Sequence, residues 1–198
     1  MTDERTLIKK AQKGDVESFE EILYRYQSII YNISYRFAGS SEDAEDMTQE
    51  VFIKIFRNIN SFQFKSKLST WIYRVTTNTC LDIVKRKKDN MTAFSLDDNL
   101  EDGEGKLLSS EIADSRPTPD KQAEQHEIKN AVNKAISQLP EDYRAVVILR
   151  DIHGLPYDDI AEIVDCSVGT VKSRISRGRR KLREILLKDR ELFDEFFV

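Results

Sequence analysis

Residues 157–187 read YDDIAEIVDCSVGTVKSRISRGRRKLREILL, which is the most specific local pattern in this chain of 198 residues. Its apolar residues recur at helical spacing on both sides of an interruption at residues 165–167. Ala161 precedes Val171 by ten residues, so its small side chain allows two helices to cross closely. The predicted inner faces consist of Ile160, Ala161 and Val164 in the first helix and Val168, Val171 and Ile175 in the second. The stretch therefore predicts a helix-turn-helix.

The turn of this motif favours a residue that tolerates a left-handed backbone, and Asp165 stands there in place of the usual glycine. Aspartate adopts this conformation more readily than most other residues. Beyond the turn, arginines can bind guanine edges, and lysines and short hydroxyl side chains can contact phosphates. The side chains predicted to point outward are Lys172, Ser173, Arg174, Ser176, Arg177 and Arg179. The alternative for such a basic helix is packing on a protein or membrane surface.

The composition argues against several classes of protein. Glycine and proline number only 7 and 4, and no GxGxxG or GxxxxGK[ST] motif occurs, which disfavours nucleotide-binding α/β folds. His126 and His153 have no second ligand at metal-binding spacing, and Cys80 and Cys166 are expected to be packed free thiols. The sequence contains neither an apolar run near the ~20 residues of a membrane span nor a secretory signal. We expect an all-helical cytosolic protein that needs no metal or cofactor.

The net charge of −4 conceals a strong partition along the chain. Residues 65–88 hold seven basic side chains against one acid, and residues 165–187 hold seven against two. Residues 89–125 instead hold ten acids against three basic side chains. Two basic islands in an acidic chain can bind a polyanion locally, while the rest stays soluble or faces a basic partner. Each island taken alone is equally compatible with a solvated helix face.

Apolar residues at helical spacing predict three helices in the first part of the chain. The first follows an N-cap at Asp15, the second follows Ser40 or Ser41, and the third begins near Ser69. The residues expected to be buried in the second helix are Ala44, Met47, Val51, Phe52, Ile55, Phe56 and Ile59. Short connections between the helices predict a compact helical domain over residues 1–88.

The composition changes after this domain. Residues 89–119 are acidic and poor in apolar side chains, which predicts a flexible linker. Helical spacing returns over residues 124–139 and 142–152, ahead of the helix-turn-helix. The predicted fold is therefore all-α, with two small helical domains, residues 1–88 and 120–187, joined by a flexible acidic linker. The acidic, aromatic tail at residues 188–198 is expected to be a frayed helix end, and the alternative is a docking segment.

Four blocks of the sequence resemble one family. Residues 44–52, AEDMTQEVF, and residues 69–75, STWIYRV, followed by Asn78 and Thr79, resemble the second conserved region of bacterial RNA polymerase sigma factors. Residues 139–144, LPEDYR, and 165–174, DCSVGTVKSR, resemble the fourth region. A short chain with only these two regions and a tether resembles the extracytoplasmic-function (ECF) group of the sigma-70 family. The resemblance covers nearly all of residues 5–187.

The resemblance implies which residues bind the polymerase and the −10 element. Asp46, Gln49 and Glu50 match the polar face that binds the clamp helices of the largest polymerase subunit, and the second-largest subunit is a further expected partner. Residues alone indicate only a solvent-facing group of acids. The implied contacts with the single-stranded −10 element are Phe64, Lys65, Ser66, Lys67, Trp71, Arg74, Asn78, Lys85 and Arg86. A flipped base needs aromatic walls and the displaced strand needs cations, although Trp71 alone fits a core position better.

The fourth region implies that residues 167–183 lie in the major groove of the duplex −35 element, with Ser167 and Thr170 among the contacts. The implied function is a promoter-specificity subunit without catalytic residues, which binds core RNA polymerase and opens the −10 element. The acidic linker is expected to follow the RNA exit path. An anti-sigma factor is an expected partner and could hold this cytoplasmic protein at the inner face of the membrane. The alternative is a stand-alone helix-turn-helix regulator, which leaves residues 44–88 unexplained.

Overall fold

The computed structural model describes residues 3–94 and 119–188. Over these residues the secondary structure is helical and contains no strand, which confirms the all-α prediction. The α-helices are α1 (Glu4–Ala11), α2 (Val16–Ala38), α3 (Ser41–Asn58), α4 (Leu68–Phe94), α5 (Pro119–Ser137), α6 (Glu141–Val147), α7 (Tyr157–Ile163) and α8 (Val168–Lys188). None of the described helices is long and apolar enough to cross a bilayer. The predictions for residues 95–118 of the linker and 189–198 of the tail fall outside the described residues.

The helix ends of the first domain follow the predicted capping chemistry. The Asp15 carboxylate accepts the Ser18 N–H at 3.1 Å, and the Ser40 hydroxyl accepts the Asp43 N–H at 3.3 Å, so both predicted N-caps are confirmed. Gly39 ends α2 with φ 83°, a left-handed conformation that glycine adopts without steric cost. These caps fix the sharp reversal between α2 and α3, so that α3 packs against both α2 and α4.

Helices α2, α3 and α4 bury one apolar face each against the others, and α1 closes one end of this bundle through Leu7 and Ile8. The sequence analysis did not predict α1, because eight residues are too short for a clear helical period. Burial of Phe56 was also predicted, and this is wrong: its side chain is 58% exposed. Only one side of the Phe56 ring is covered, by an edge contact with Phe19 at 5.1 Å.

The second domain holds the helix-turn-helix in α7 and α8. Asp165 has φ 49°, which confirms the predicted left-handed turn, and the Cys166 N–H donates to the Ala161 carbonyl at 3.1 Å. A second close helix contact lies at Gly178 of α8. A Cβ atom there would come within 2.7 Å of a methyl carbon of Val147 in α6. Glycine in mid-helix is the sequence signal for such a close approach.

The two domains pack directly on each other, α2 against α5 and α4 against α6 and α7. Arg144 of α6, which is only 7% exposed, donates to the carbonyl of Phe37 in α2 at 2.9 Å. Two helices extend beyond the domain boundaries that were predicted from the sequence. Helix α4 continues past Lys88 to Phe94, and α5 already begins at Pro119. Polar contacts between the domains join the last turn of α2, where Phe37 lies, and Tyr73 and Arg74 of α4 to the second domain.

Substitution of Gly178 by alanine is expected to destabilise the second domain. The added methyl group overlaps Val147, and overpacking of about 1–3 kcal/mol exceeds the ~1 kcal/mol that alanine gains in helix propensity. Thermal unfolding followed by circular dichroism should show a lower Tm for Gly178→Ala, with recovery on adding Val147→Ala. An unchanged Tm in the single variant would show that α6 and α8 do not pack this closely.

Candidate nucleic-acid interface

The residues predicted to read duplex DNA lie along α8, which starts directly after the turn. The Ser167 hydroxyl caps this helix by accepting the Thr170 N–H at 3.1 Å, so both hydroxyl residues lie at its N-terminal end. The exposed members of the predicted set are Ser167, Lys172, Ser173, Ser176, Arg177 and Arg179, while Thr170 and Arg174 are half-buried. Burial of Val171 and Ile175 on the opposite face keeps this surface turned outward.

Three of the α8 cations that were predicted to contact DNA have partners elsewhere in the second domain. Arg174 bonds Asp142 at 2.8 Å, Arg179 donates its Nε to Asp151 at 3.0 Å, and the Lys172 ammonium lies 5.6 Å from the Tyr157 ring centroid. The pairing with Asp151 raises the pKa of Arg179. Surface ion pairs of this kind contribute little free energy, so a phosphate could displace the carboxylates at modest cost.

The predicted −10 contacts on α4 share one face of that helix. Trp71, Arg74, Asn78 and Lys85 follow one another at helical spacing, and Asn78 and Lys85 are exposed. Arg86 lies to one side of this row, where it bonds Glu50 of α3 at 2.7 Å. The structure thus brings a predicted −10 contact and a predicted polymerase contact together.

The loop before α4 presents two exposed cations, Lys65 and Lys67, beside an aromatic cluster. Phe62 is 5% exposed and lies between two rings, with centroids 5.0 Å away in Phe64 and 5.6 Å away in Trp71. Ser66 and Phe64 are half-buried. Trp71 therefore lies partly in the core and partly at the surface. A nucleobase could stack on the exposed parts of the rings of this cluster.

Arg74 makes a contact that the sequence did not predict. Its guanidinium bonds the carboxylate of Glu162 in α7 at 2.6 Å, across the contact between the two domains. Nothing local to either residue signals this pair, because 88 positions separate them in the sequence. In this arrangement the Arg74 cation is paired with the helix-turn-helix, although its side chain stays 38% exposed.

The predicted polymerase contacts on α3 stand on an exposed face. Asp46 and Gln49 are exposed and Glu50 is half-buried. Ile53, 49% exposed, and Phe56 continue the same face by one and two turns. The sequence analysis missed this apolar extension because it assigned Phe56 to the core, although Ile53 at helical spacing from Gln49 was an available signal.

A half-buried histidine, His153, lies where the two domains meet. The His153 Nδ1 atom is 3.3 Å from the Tyr73 hydroxyl, and its Nε2 is buried without a partner among the described residues. Burial, together with the nearby Arg36 cation, lowers the pKa of His153 from 6.5 to about 4. This contact therefore requires a neutral imidazole.

The described residues contain no cluster of His, Cys, Asp and Glu that could hold a metal ion. Cys80 and Cys166 are free thiols, as predicted. Burial raises the pKa of Cys80 to about 12, and its sulfur lies 3.8 Å from the Ser34 hydroxyl. The described surface offers exposed cations, an aromatic cluster and one polar helix face.

Together, a helix-turn-helix with an outward basic helix and a second helical domain with its own basic face define a DNA-binding transcription protein. Residues 23–89 match the family model for Sigma-70 region 2, and residues 129–182 match that for Sigma-70, region 4. The chain belongs to the sigma-70 family, and its relatives place it in the ECF group.

Curated relatives match over nearly their whole length. The ECF RNA polymerase sigma factor SigW of Bacillus subtilis is 38% identical over 179 residues, 90% of this chain and 94% of the relative. The ECF RNA polymerase sigma-E factor of Escherichia coli K12 is 36% identical over 186 residues, 92% and 93% of the two chains. The RNA polymerase sigma-H factor of Pseudomonas aeruginosa is 34% identical over 184 residues, again 92% and 93%.

Two solved structures share the fold. CnrH, in complex with the cytosolic domain of CnrY, superposes with a TM-score of 0.64 at 19% identity, over 94% of this chain and 99% of that chain. The sigma factor RpoE, in complex with the anti-sigma factor NepR from Bartonella quintana, gives 0.63 at 23% identity, over 86% and 97%. At these identities the likeness concerns the fold alone.

Because the half-buried His153 has to stay neutral at the contact between the domains, we expect this contact to weaken in acid. The pKa of His153 is lowered when the domains are packed. Its contribution to the stability of the packed domains is therefore fully present above pH 6.5 and declines as the pH falls toward 4. Small-angle scattering should show a larger radius of gyration at pH 5.5 than at pH 7.5, and His153→Gln should flatten this change. An equal change in the variant would assign the acid sensitivity to other groups.

Proposed function

We propose that this protein is an ECF-type sigma factor. It binds core RNA polymerase, directs the enzyme to promoters by recognising −35 and −10 elements, and initiates DNA-templated transcription. The observation that carries the proposal is the presence of both sigma regions in one chain that covers 94% of a curated ECF sigma factor. The polymerase performs the chemistry, and this chain contributes binding free energy to promoter recognition and melting.

Each surface has a separate task in this proposal. The α3 face of Asp46, Gln49 and Glu50 binds the clamp of the largest polymerase subunit, and the second-largest subunit is a further contact. The exposed Ile53 and Phe56 extend that face with apolar area. Polar residues set the register of such an interface, while a buried aromatic supplies much of its affinity.

DNA recognition is divided between the two domains. The loop of Phe64, Lys65, Ser66 and Lys67 and the α4 row of Trp71, Arg74, Asn78, Lys85 and Arg86 bind the single-stranded −10 element. Aromatic rings stack on bases, and the cations follow the phosphates. Helix α8 enters the major groove of the −35 element, where Arg177 and its neighbours reach base edges and phosphates.

The two domains have to separate before they can occupy both elements. Positions −35 and −10 lie about 25 base pairs apart, roughly 85 Å at about 3.4 Å per base pair. Arg74 and Glu162, by contrast, are in direct contact in the packed arrangement. The residues between α4 and α5 number 24, and a chain of that length can extend to about 80 Å. Promoter binding therefore competes with the contact between the domains.

An anti-sigma factor is the proposed regulator. The two solved structures described above are complexes, of CnrH with the cytosolic domain of CnrY and of the sigma factor RpoE with the anti-sigma factor NepR. A partner that binds both domains at once would favour the packed arrangement and oppose promoter recognition. The proposed location is the cytoplasm, with sequestration at the inner face of the membrane if that partner is membrane-bound.

A stand-alone helix-turn-helix regulator would use α7 and α8 equally well. It gives no role to the exposed α3 face, in which Asp46, Gln49, Ile53 and Phe56 are all turned to solvent. Such a regulator would bind duplex DNA without polymerase and as a symmetric dimer.

Transcription in vitro tests the proposed polymerase contact. Purified core polymerase, fragmented genomic DNA from the source organism and this protein should give discrete 5′ ends that share two upstream motifs. Asp46→Ala combined with Gln49→Ala should reduce these transcripts at least about tenfold, which corresponds to about 1.4 kcal/mol of binding free energy. The matched control is Glu20→Ala with Gln27→Ala, which removes one carboxylate and one amide from exposed positions of α2.

Unchanged transcription in the Asp46 and Gln49 variant would contradict the assignment of the α3 face. Absence of any discrete start, together with tight duplex binding by the protein alone, would favour the stand-alone regulator.

A further inference from the structure

Arg179 of α8 is held by two hydrogen bonds to one carboxylate. Its Nε donates to one oxygen of Asp151 at 3.0 Å, and its Nη2 donates to the other oxygen. Arg174, by comparison, bonds Asp142 through Nη2 alone. A bidentate pair fixes the plane of a guanidinium as well as its position, which a single bond does not. The orientation of Arg179 on the surface of α8 is therefore set by Asp151.

The Asp151 carboxylate is itself held in place by its segment. Asp151 belongs to a π-helical turn, Ile148–Ile152, which joins α6 to α7 and whose first two residues are buried. The neighbouring Arg150 guanidinium donates to the Leu155 carbonyl at 2.8 Å and lies 4.6 Å from the Tyr157 ring centroid. Such π-helical turns are rare and recur at functional sites. Asp151 therefore reaches Arg179 from a turn that is anchored on both sides.

The pair leaves one edge of the Arg179 guanidinium open. Arginine carries five N–H donors, and the bonds to Asp151 use one on Nε and one on Nη2. The donors that remain on Nη1 and Nη2 form a fork that fits two oxygens of a phosphate. The Arg179 side chain is 56% exposed, whereas that of Asp151 is 28% exposed. An anion can therefore bind the open edge while Asp151 keeps its place.

The position of Arg179 along α8 indicates which part of DNA it contacts. Lys172, Ser176 and Arg179 follow one another at steps of four and three residues, so they share one flank of the helix. Arg179 lies about 17 Å along the axis from Val168, at about 1.5 Å per residue. Base edges are read by the N-terminal residues of a recognition helix, whereas phosphate contacts set its orientation on the duplex. A phosphate is therefore the acceptor that suits Arg179.

We propose that Asp151 is a positioning residue for DNA binding, which holds Arg179 as a preformed clamp for one phosphate of the duplex. The proposal rests on the proposed function, since it presumes that α8 binds duplex DNA. It assigns a part in DNA binding to an acidic residue that lies outside the helix-turn-helix. Removal of a negative charge near DNA ordinarily strengthens binding, because it reduces repulsion of the phosphates. A positioning role for Asp151 has the opposite consequence.

The test measures binding of a fluorescently labelled 24-base-pair duplex of randomised sequence to the full chain, by anisotropy between 50 and 200 mM KCl. Asp151→Asn should weaken binding about fivefold at 50 mM KCl and reduce the slope of log K against log salt by about 0.9, the value for one phosphate. Arg179→Gln should weaken binding about tenfold with the same change of slope. The double variant should bind no more weakly than Arg179→Gln alone, because Asp151 acts through Arg179.

Two further variants separate positioning from charge and from folding. Asp158→Asn removes the same charge from an exposed position of α7 that forms no ion pair among the described residues, so binding should stay unchanged or tighten about twofold at most. Asp151→Glu keeps the carboxylate and should recover most of the loss. The Tm of Asp151→Asn should stay within about 4 °C of the unaltered chain, since an exposed ion pair contributes about 1 kcal/mol at most.

Three outcomes would overturn the proposal. Equal or tighter binding by Asp151→Asn would make the carboxylate a competitor of the phosphate. A further loss of binding in the double variant beyond that of Arg179→Gln would show that Asp151 does not act through Arg179. Absence of duplex binding by the unaltered chain at 50 mM KCl would remove Arg179 as a duplex contact. The proposed function fails separately, through absence of transcription starts with the unaltered chain, so the two failures are distinguishable.

Discussion

The burial of the Arg144 guanidinium is the interaction on which the arrangement of the two domains depends. The Arg144 guanidinium donates to the carbonyls of Phe37 and Leu139, at 2.9 Å each, and to the carbonyl of Ser137. It also lies over the Phe37 ring. Phe37 belongs to the last turn of α2, where unpaired carbonyls carry partial negative charge that favours a cation. Removing the donor would leave buried carbonyls unpaired, at about 1–3 kcal/mol each.

This junction has a consequence for promoter recognition. The same packing that seats Arg144 joins Arg74, a proposed −10 contact, to Glu162 of the helix-turn-helix. If the two domains bind separate DNA elements, as proposed, the protein therefore begins with one of its proposed DNA-binding cations engaged internally. Polymerase and promoter can open the junction only to the extent that they bind the separated form more tightly than the packed form. A second protein that binds the packed form would act in the opposite direction.

Local patterns made most of the fold predictable. The helix-turn-helix followed from residues 157–187, because its turn, its caps and its apolar spacing all depend on neighbours in sequence. The N-caps at Asp15 and Ser40 are likewise local. Phe56 was assigned wrongly because helical spacing does not show that a helix face lacks a neighbour to cover it. Gly178 was overlooked although a glycine in a basic helix is a recognisable signal of close packing.

The candidate sites were only partly predictable, for a related reason. Several of the predicted contacts on α3, α4 and α8 lie at exposed positions, yet which cations are engaged depends on residues far away in sequence. Neither the pair of Arg74 with Glu162 nor the position of Arg5 over Phe64 has a local signature. Contacts of this kind arise from domain packing and from the docking of a short N-terminal helix, and neither leaves a periodic pattern.

The most direct test of the competition between domain packing and promoter binding is the distance between the domains. Dyes at Tyr24→Cys and Asp158→Cys, both exposed positions, in a chain with Cys166→Ser would report it by energy transfer. The free protein should show a single compact distance, and addition of core polymerase with a promoter fragment should lengthen it by tens of ångströms, as about 25 base pairs require. Energy transfer that stays the same in the free protein and the promoter complex would contradict the requirement for separation.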